Sequence, residues 1–349
     1  MALNRMKDSL DRSAYQALHV LDRARRSTLW ALSPWIRSFI LSRERRVCLT
    51  ACLGITLAFS FSTTLPLWQL LLGPIILGIP HVIGDIRYLL IKGQLHRERL
   101  VLLAVGLPLT IYMVTGDTFF ATLSIFLMSI KTTRTGAEAK LVQLSSLALL
   151  LSSIYFERYF LFIFLHAHNL IGIAFWWLWR RKKYPWEYTP LIMLTLFSAL
   201  IIYLSPSNDF ALRYFPGEMN FYYYSDILAG ALPERWERSA VLLFAFLQSV
   251  HYLVWIRLIP EEARRQPTPR GFRSSYRALR EDFGLWLLLS LCVLSLFFIG
   301  YASISPERAR TDYLLLISFH GFLELAMFVY QPYGRHHDME RRISSDAAH

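Results

Sequence analysis

The chain has 349 residues, 54% of them hydrophobic, 15% aromatic and only 18% charged. A soluble domain carries about 25% charged residues, so the composition argues against a single soluble domain; it also excludes a disordered chain, which needs low hydrophobicity and high charge. The net charge is +12, but the arginines sit in short segments between apolar blocks, where they orient membrane spans, and no nucleic-acid partner is expected.

In chain order, residues 1–46 form a basic arm. Ala14, Leu18 and Leu21 share one helical face, and Trp30, Trp35, Ile36 and Phe39 gather around Pro34. This predicts an interfacial amphipathic helix over 14–41 with tryptophan anchors. The arm lacks an early apolar core followed by small residues, so no cleavable signal peptide is expected. A membrane domain over 47–333 follows, then a tail over 334–349. The domain holds ten apolar stretches, at about 47–63, 66–91, 100–115, 118–131, 141–156, 159–179, 189–205, 239–259, 283–300 and 312–333. A spanning helix needs roughly 20 such residues.

Charge alternates across these stretches. Arginines and lysines fill the arm, the 92–99 and 131–140 segments, Arg180 to Lys183, Arg257 to Arg280 and the tail, whereas the intervening segments are nearly neutral. The positive-inside rule then predicts an all-α bundle of about ten spans with both termini cytoplasmic, embedded in the lipid of the cell (inner) membrane. The 206–238 segment carries Tyr214, Phe215, Phe221, Tyr222, Tyr223 and Tyr224, which suits the outer membrane interface or a lid. Cys48, Cys52 and Cys292 lie inside apolar blocks, an odd set that makes neither a disulfide framework nor a zinc ribbon.

Ionisable residues inside a span are costly and usually face the bundle interior. Four stretches carry them: His81 and Asp85; His166, His168 and Asn169; Gln248 and His251; His320 and Glu324. All four run from outside to inside, and their depths allow one common layer. His81/Asp85 and His320/Glu324 are i, i+4 pairs, so each carboxylate shares its histidine's face. His166 and His168 are i, i+2 and point apart, leaving open which one reaches a shared site. Neutral imidazoles suit iron, copper, zinc or nickel, and a ligating histidine commonly gives its other N–H to a carboxylate or carbonyl. The expectation is a metal centre with His81, His251, His320 and His166 or His168 as ligands, and Asp85 and Glu324 as orienting partners or further ligands. The same residues would serve a proton- or ion-coupled transporter as a relay. Paired axial histidines for a haem are a third option, which leaves the carboxylates unexplained. His96, His336 and His337 lie in basic segments outside the spans. Arg87 and Tyr88 either reach the interface or, for Arg87, pair with Asp85.

The segment Gly78-Ile79-Pro80-His81…Asp85 resembles the glycine–leucine–proline–histidine–glycine–x–x–aspartate segment of the Brp/Blh family of bacterial membrane β-carotene 15,15′-dioxygenases, and His251-Tyr252-Leu253-Val254-Trp255 is similar to that family's later histidine–aromatic–x–x–tryptophan segment. The chain departs from the pattern at Val82, Ile86 and Ile256. The resemblance implies a non-haem iron held by histidines, O2 as co-substrate, and a lipophilic carotenoid or isoprenoid-like substrate cleaved at a double bond. The expected function is a metal-dependent membrane oxygenase, with the coupled transporter as the rival and an assembly factor without chemistry as a third reading.

Overall fold

The computed structural model describes residues 2–31, 33–180, 182, 184–205, 219–264 and 268–330. The tail over 334–349, with His336 and His337, and the aromatics Tyr214 and Phe215 lie outside the described residues. The described residues are all-helical and contain no strand.

The basic arm folds as α1 (Ala2–Ala31) and α2 (Pro34–Leu41), divided near Pro34, whose missing N–H is harmless at a helix start. The Ser33 hydroxyl caps α2 by accepting from the Ile36 N–H at 3.5 Å. Eight helices are long and apolar enough to cross a membrane: α3 (Arg43–Thr64), α4 (Pro66–Ile91), α7 (Gly136–Tyr155), α8 (Glu157–Trp179), α9 (Pro185–Leu204), α11 (Glu234–Glu262), α13 (Leu285–Ile304) and α14 (Pro306–Tyr330). Two more apolar stretches form shorter helices, α5 (Arg99–Thr115) and α6 (Thr118–Ile130). Gly116, at φ 73°, ends α5, and Asp117 caps α6 by accepting from Phe119 N–H at 2.9 Å, so the two make a tight hairpin. Two segments read as loops are partly helical: α10 (Phe221–Ala229) and the strongly amphipathic α12 (Phe272–Phe283).

Burial orders the bundle. Of their apolar windows, 78% is buried in α11, 56% in α4 and in α14, and 33% in α8, against at most 28% in the other four and 6% in α13. The four helices that carry intramembrane histidines are therefore the four innermost. α11 packs on α3, α4, α8 and α9, and α14 packs on α4, α6, α8 and α13. One end of the bundle is tied by charge. Arg46 at the start of α3 pairs with Glu261 at the end of α11, and Arg180 at the end of α8 pairs with Glu187 (3.0 Å) at the start of α9 and Glu262 (3.3 Å). These partners are mostly buried, and leaving one member alone there would cost several kcal/mol.

Candidate metal centre

His81, His251 and His320 arrive on helices whose backbone departs from regular α geometry beside them, whereas His168 sits in the uninterrupted α8. In α4, Pro74 and Pro80 interrupt the hydrogen-bond ladder and a π turn over Arg87–Ile91 follows Asp85. In α11 a π turn over Val254–Leu258 follows His251. α14 breaks after Ile317 and restarts at His320. Such irregularities re-aim side chains and gather at functional sites. Glycines permit the close crossings. A Cβ on Gly84 would stand 2.8 Å from Trp255 O, one on Gly172 would stand 2.7 Å from His251 Nδ1, and one on Gly78 would overlap the Tyr313 hydroxyl.

The structure brings together His81, His168, His251 and His320 with Asp85 and Glu324, all six buried. The rings form a closed circuit, with centres 4.8 Å apart for His81–His320, 5.4 Å for His320–His168, 5.2 Å for His168–His251 and 5.5 Å for His251–His81. A metal about 2.0–2.1 Å from each imidazole nitrogen would set such ring centres roughly 4.5–6.5 Å apart. The donor atoms of His81, His251 and His320 lie within 4.8 Å of one another, as do those of Asp85, His320 and Glu324. His320 belongs to both triads.

Hydrogen bonding fixes what the donors offer. His168 Nδ1 lies 2.9 Å from Leu165 O, and His320 Nδ1 lies 2.7 Å from Ile317 O. A carbonyl only accepts, so each Nδ1 carries the proton and each Nε2 presents a lone pair. Neither ring nitrogen of His81 or His251, and no carboxylate oxygen of Asp85 or Glu324, has a hydrogen-bond partner among the described residues. Buried polar groups are ordinarily satisfied; each neutral imidazole keeps one N–H, so one nitrogen each of His81 and His251 and the four oxygens of Asp85 and Glu324 are open to a cation. His251 Nε2 and Glu324 Oε1 stand 3.3 Å apart without hydrogen-bond alignment, close to the spacing of about 3–3.5 Å between neighbouring donors on one ion. The nitrogen and oxygen donors suit iron, zinc or manganese; no cysteine joins any ligand group among the described residues.

Several expectations change. His166 stands apart, its Nε2 2.8 Å from Leu228 O and its ring against Phe162 and Phe244; His168 is the histidine of that pair in the cluster. The carboxylates do not orient the histidines of their own helices: main-chain carbonyls hold His168 and His320, while Glu324 faces His251 across helices. Arg87 does not pair with Asp85. It bonds Asp282 through Nε at 2.6 Å, with its guanidinium 5.3 Å from the Tyr88 ring centre. Three aromatic neighbours were not singled out as site residues. The Tyr252 ring centre lies 4.5 Å from that of His81, and the Trp255 Nε1 and the Tyr313 hydroxyl are buried without partners among the described residues. No protein-family model, curated protein or solved structure matches the chain.

Proposed function

We propose that this is an integral membrane metalloenzyme that binds one transition metal, most simply iron, and uses O2 to oxidise a lipophilic substrate of the carotenoid or isoprenoid class. The observation that carries it is the set of unsatisfied, buried nitrogen and oxygen atoms supplied by α4, α11 and α14, with His168 of α8 and His320 beside them. His81, His168, His251 and His320 would hold the ion through neutral imidazoles, with Glu324 the nearer carboxylate. Asp85 and Glu324 together would balance a divalent charge that the apolar interior cannot solvate. When bound, iron would supply O2 activation. Apolar walls would exclude water from such chemistry, and a substrate dissolved in the bilayer would have to enter between helices. Double-bond cleavage in the manner of the Brp/Blh family needs no separate reductant, since both oxygen atoms end as the two product carbonyls.

A proton- or ion-coupled carrier is the second reading, favoured by the Glu324–His251 contact within reach of Asp85. Metal analysis of detergent-purified protein separates the two. The enzyme reading expects about one iron per chain, most of it lost in His81→Ala, His251→Ala and His320→Ala, with a loss of about 10–100-fold in affinity for an outer partner such as Asp85→Asn. Protein free of transition metal after chelator-free purification overturns it and favours the relay. In a β-carotene-accumulating bacterium, oxygen-dependent and His81-dependent loss of orange colour with formation of retinal is the expected substrate result. Unchanged colour with folded, iron-loaded protein removes β-carotene as the substrate and leaves the metal centre standing.

A further inference from the structure

A second site lies where the basic arm meets α12. Asp11 of α1 accepts from the Tyr276 hydroxyl at 2.7 Å and pairs with Arg280 at 2.6 Å, and Tyr15 meets Tyr276 edge to face at 5.6 Å. The Asp22 carboxylate accepts from the main-chain N–H groups of Phe272 (2.6 Å) and Arg273 (3.2 Å) at the start of α12. Beside these contacts an open cavity of about 1030 Å³ lies between α1, α2 and the 269–277 segment.

Five arginines line it: Arg25, Arg26, Arg37, Arg273 and Arg277. The one lining carboxylate, Asp22, is already engaged by α12 and by Arg273 at 3.4 Å. Arg26 has no carboxylate partner among the described residues, and Arg277 donates to the neutral Tyr15 hydroxyl at 3.3 Å, with Glu281 the carboxylate that acts on it from α12. The rest of the wall is apolar, with Leu29, Trp30 and Leu41 prominent. The cavity is also placed at the bundle's edge: α2 ends at Leu41, two residues before α3 begins at Arg43, and α12 ends at Phe283, two residues before α13 begins at Leu285. The α2 wall therefore stands where chain enters the apolar bundle, and the wall over 269–277 lies about two helical turns or more before α13 begins.

We propose that this cavity binds one anionic phospholipid, its phosphate held by Arg26, Arg37 and Arg277 and the start of its acyl chains laid along Trp30 and Leu41. Guanidinium forks match phosphate oxygens in pairs. The volume is that of a ligand pocket, which runs to roughly 300–1,000 Å³, and far exceeds what free phosphate would fill. An apolar wall beside a cationic one at a span entrance fits an amphiphile in the headgroup layer.

The test uses full-length protein, delipidated in zwitterionic detergent and titrated with phosphatidylglycerol or phosphatidylcholine under native mass spectrometry. One phosphatidylglycerol retained per chain, with no retention of phosphatidylcholine, is expected. Each basic side chain at an anionic lipid surface is worth about a factor of five, so Arg26→Gln with Arg277→Gln should weaken retention about thirty-fold. Arg97→Gln with Arg99→Gln, outside the cavity, should leave it unchanged; equal weakening by the two double variants would mean diffuse attraction and overturns the site. Displacement of the lipid by millimolar inorganic phosphate overturns the lipid as occupant. Should the cavity variant fail to fold, tryptophan quenching by bromine-labelled phosphatidylglycerol decides the matter. A quenching component lost in Trp30→Phe supports the site, and identical quenching in the two proteins overturns it.

Discussion

Gly172 lies one helical turn beyond His168, and a methyl there would stand 2.7 Å from His251 Nδ1 and 2.8 Å from Trp255 Nε1. Gly172→Ala is therefore expected to push His251 out of the ring circuit and lower bound metal at least tenfold, with about 1–3 kcal/mol of overpacking seen in thermal unfolding. Gly106→Ala, whose new methyl meets nothing within 4 Å, should change neither. His168→Ala should strip metal while His166→Ala should leave it, because only the first presents a free Nε2 to the cluster. These distinctions show where sequence stops. The i, i+2 spacing says that His166 and His168 diverge, but the rotation of α8 about its axis is set by packing against α11 and α14. One signal was available: Gly172 at i+4 from His168 marks the face of closest approach. The carboxylates were visible as costly intramembrane charges, yet their cross-helix partner was not, since i, i+4 spacing reports neighbours on one helix alone.

At the scale of elements, apolar length places the ends of the long helices to within six residues, and for α4 both ends coincide. α12 was missed because its arginines read as a solvated loop, although Phe272, Tyr276, Leu279 and Phe283 recur at helical spacing. The docking of α1 on α12 carries a pH dependence. Burial raises the Asp22 carboxyl, but the N–H groups of Phe272 and Arg273 and the Arg273 guanidinium outweigh it and hold it below its ordinary 3.8. A depressed folded value means that docking is favoured while the carboxylate is ionised and weakens as pH falls below that ordinary value. Hydrogen exchange should find α12's first turn equally protected at pH 7 and pH 5 and progressively exposed once pH drops under about 3.9. Asp22→Ala should expose it at every pH, whereas Asp22→Asn, whose amide oxygen still accepts, should remove the pH dependence; protection unchanged in Asp22→Ala would contradict the capping role.

For the whole molecule, the four histidine-bearing spans are expected to share one direction, an expectation that does not depend on whether the count is ten or eight. If the short α5 and α6 form a hairpin that does not cross, two crossings vanish together and the direction of every later helix is kept. Reporter fusions at Ser225 and Thr268, on opposite sides of α11, should give opposite answers, with Thr268 cytoplasmic by the positive-inside rule. The same answer at both positions would remove α11 as a span and with it the common direction of the histidine helices. What the sequence could not supply was order from inside to outside: α13, the most hydrophobic of the long helices, is the least buried, because in lipid apolarity measures exposure to the bilayer as readily as depth in the protein.

The ring of four histidines also has a chronology. His81, His168, His251 and His320 enter the membrane in that order during synthesis, and the last belongs to the final described helix. A ribosome-bound chain that has released α4, α8 and α11 presents three imidazoles and Asp85, with neither His320 nor Glu324 yet in place. The donor set closes only when α14 slides between α4 and α8. On the proposed metal-binding reading, capture of the ion would be the last event of assembly and would act as a clasp on it: the ion would favour the completed bundle over every partly inserted precursor, and its binding energy would add to the barrier against the last helix leaving again.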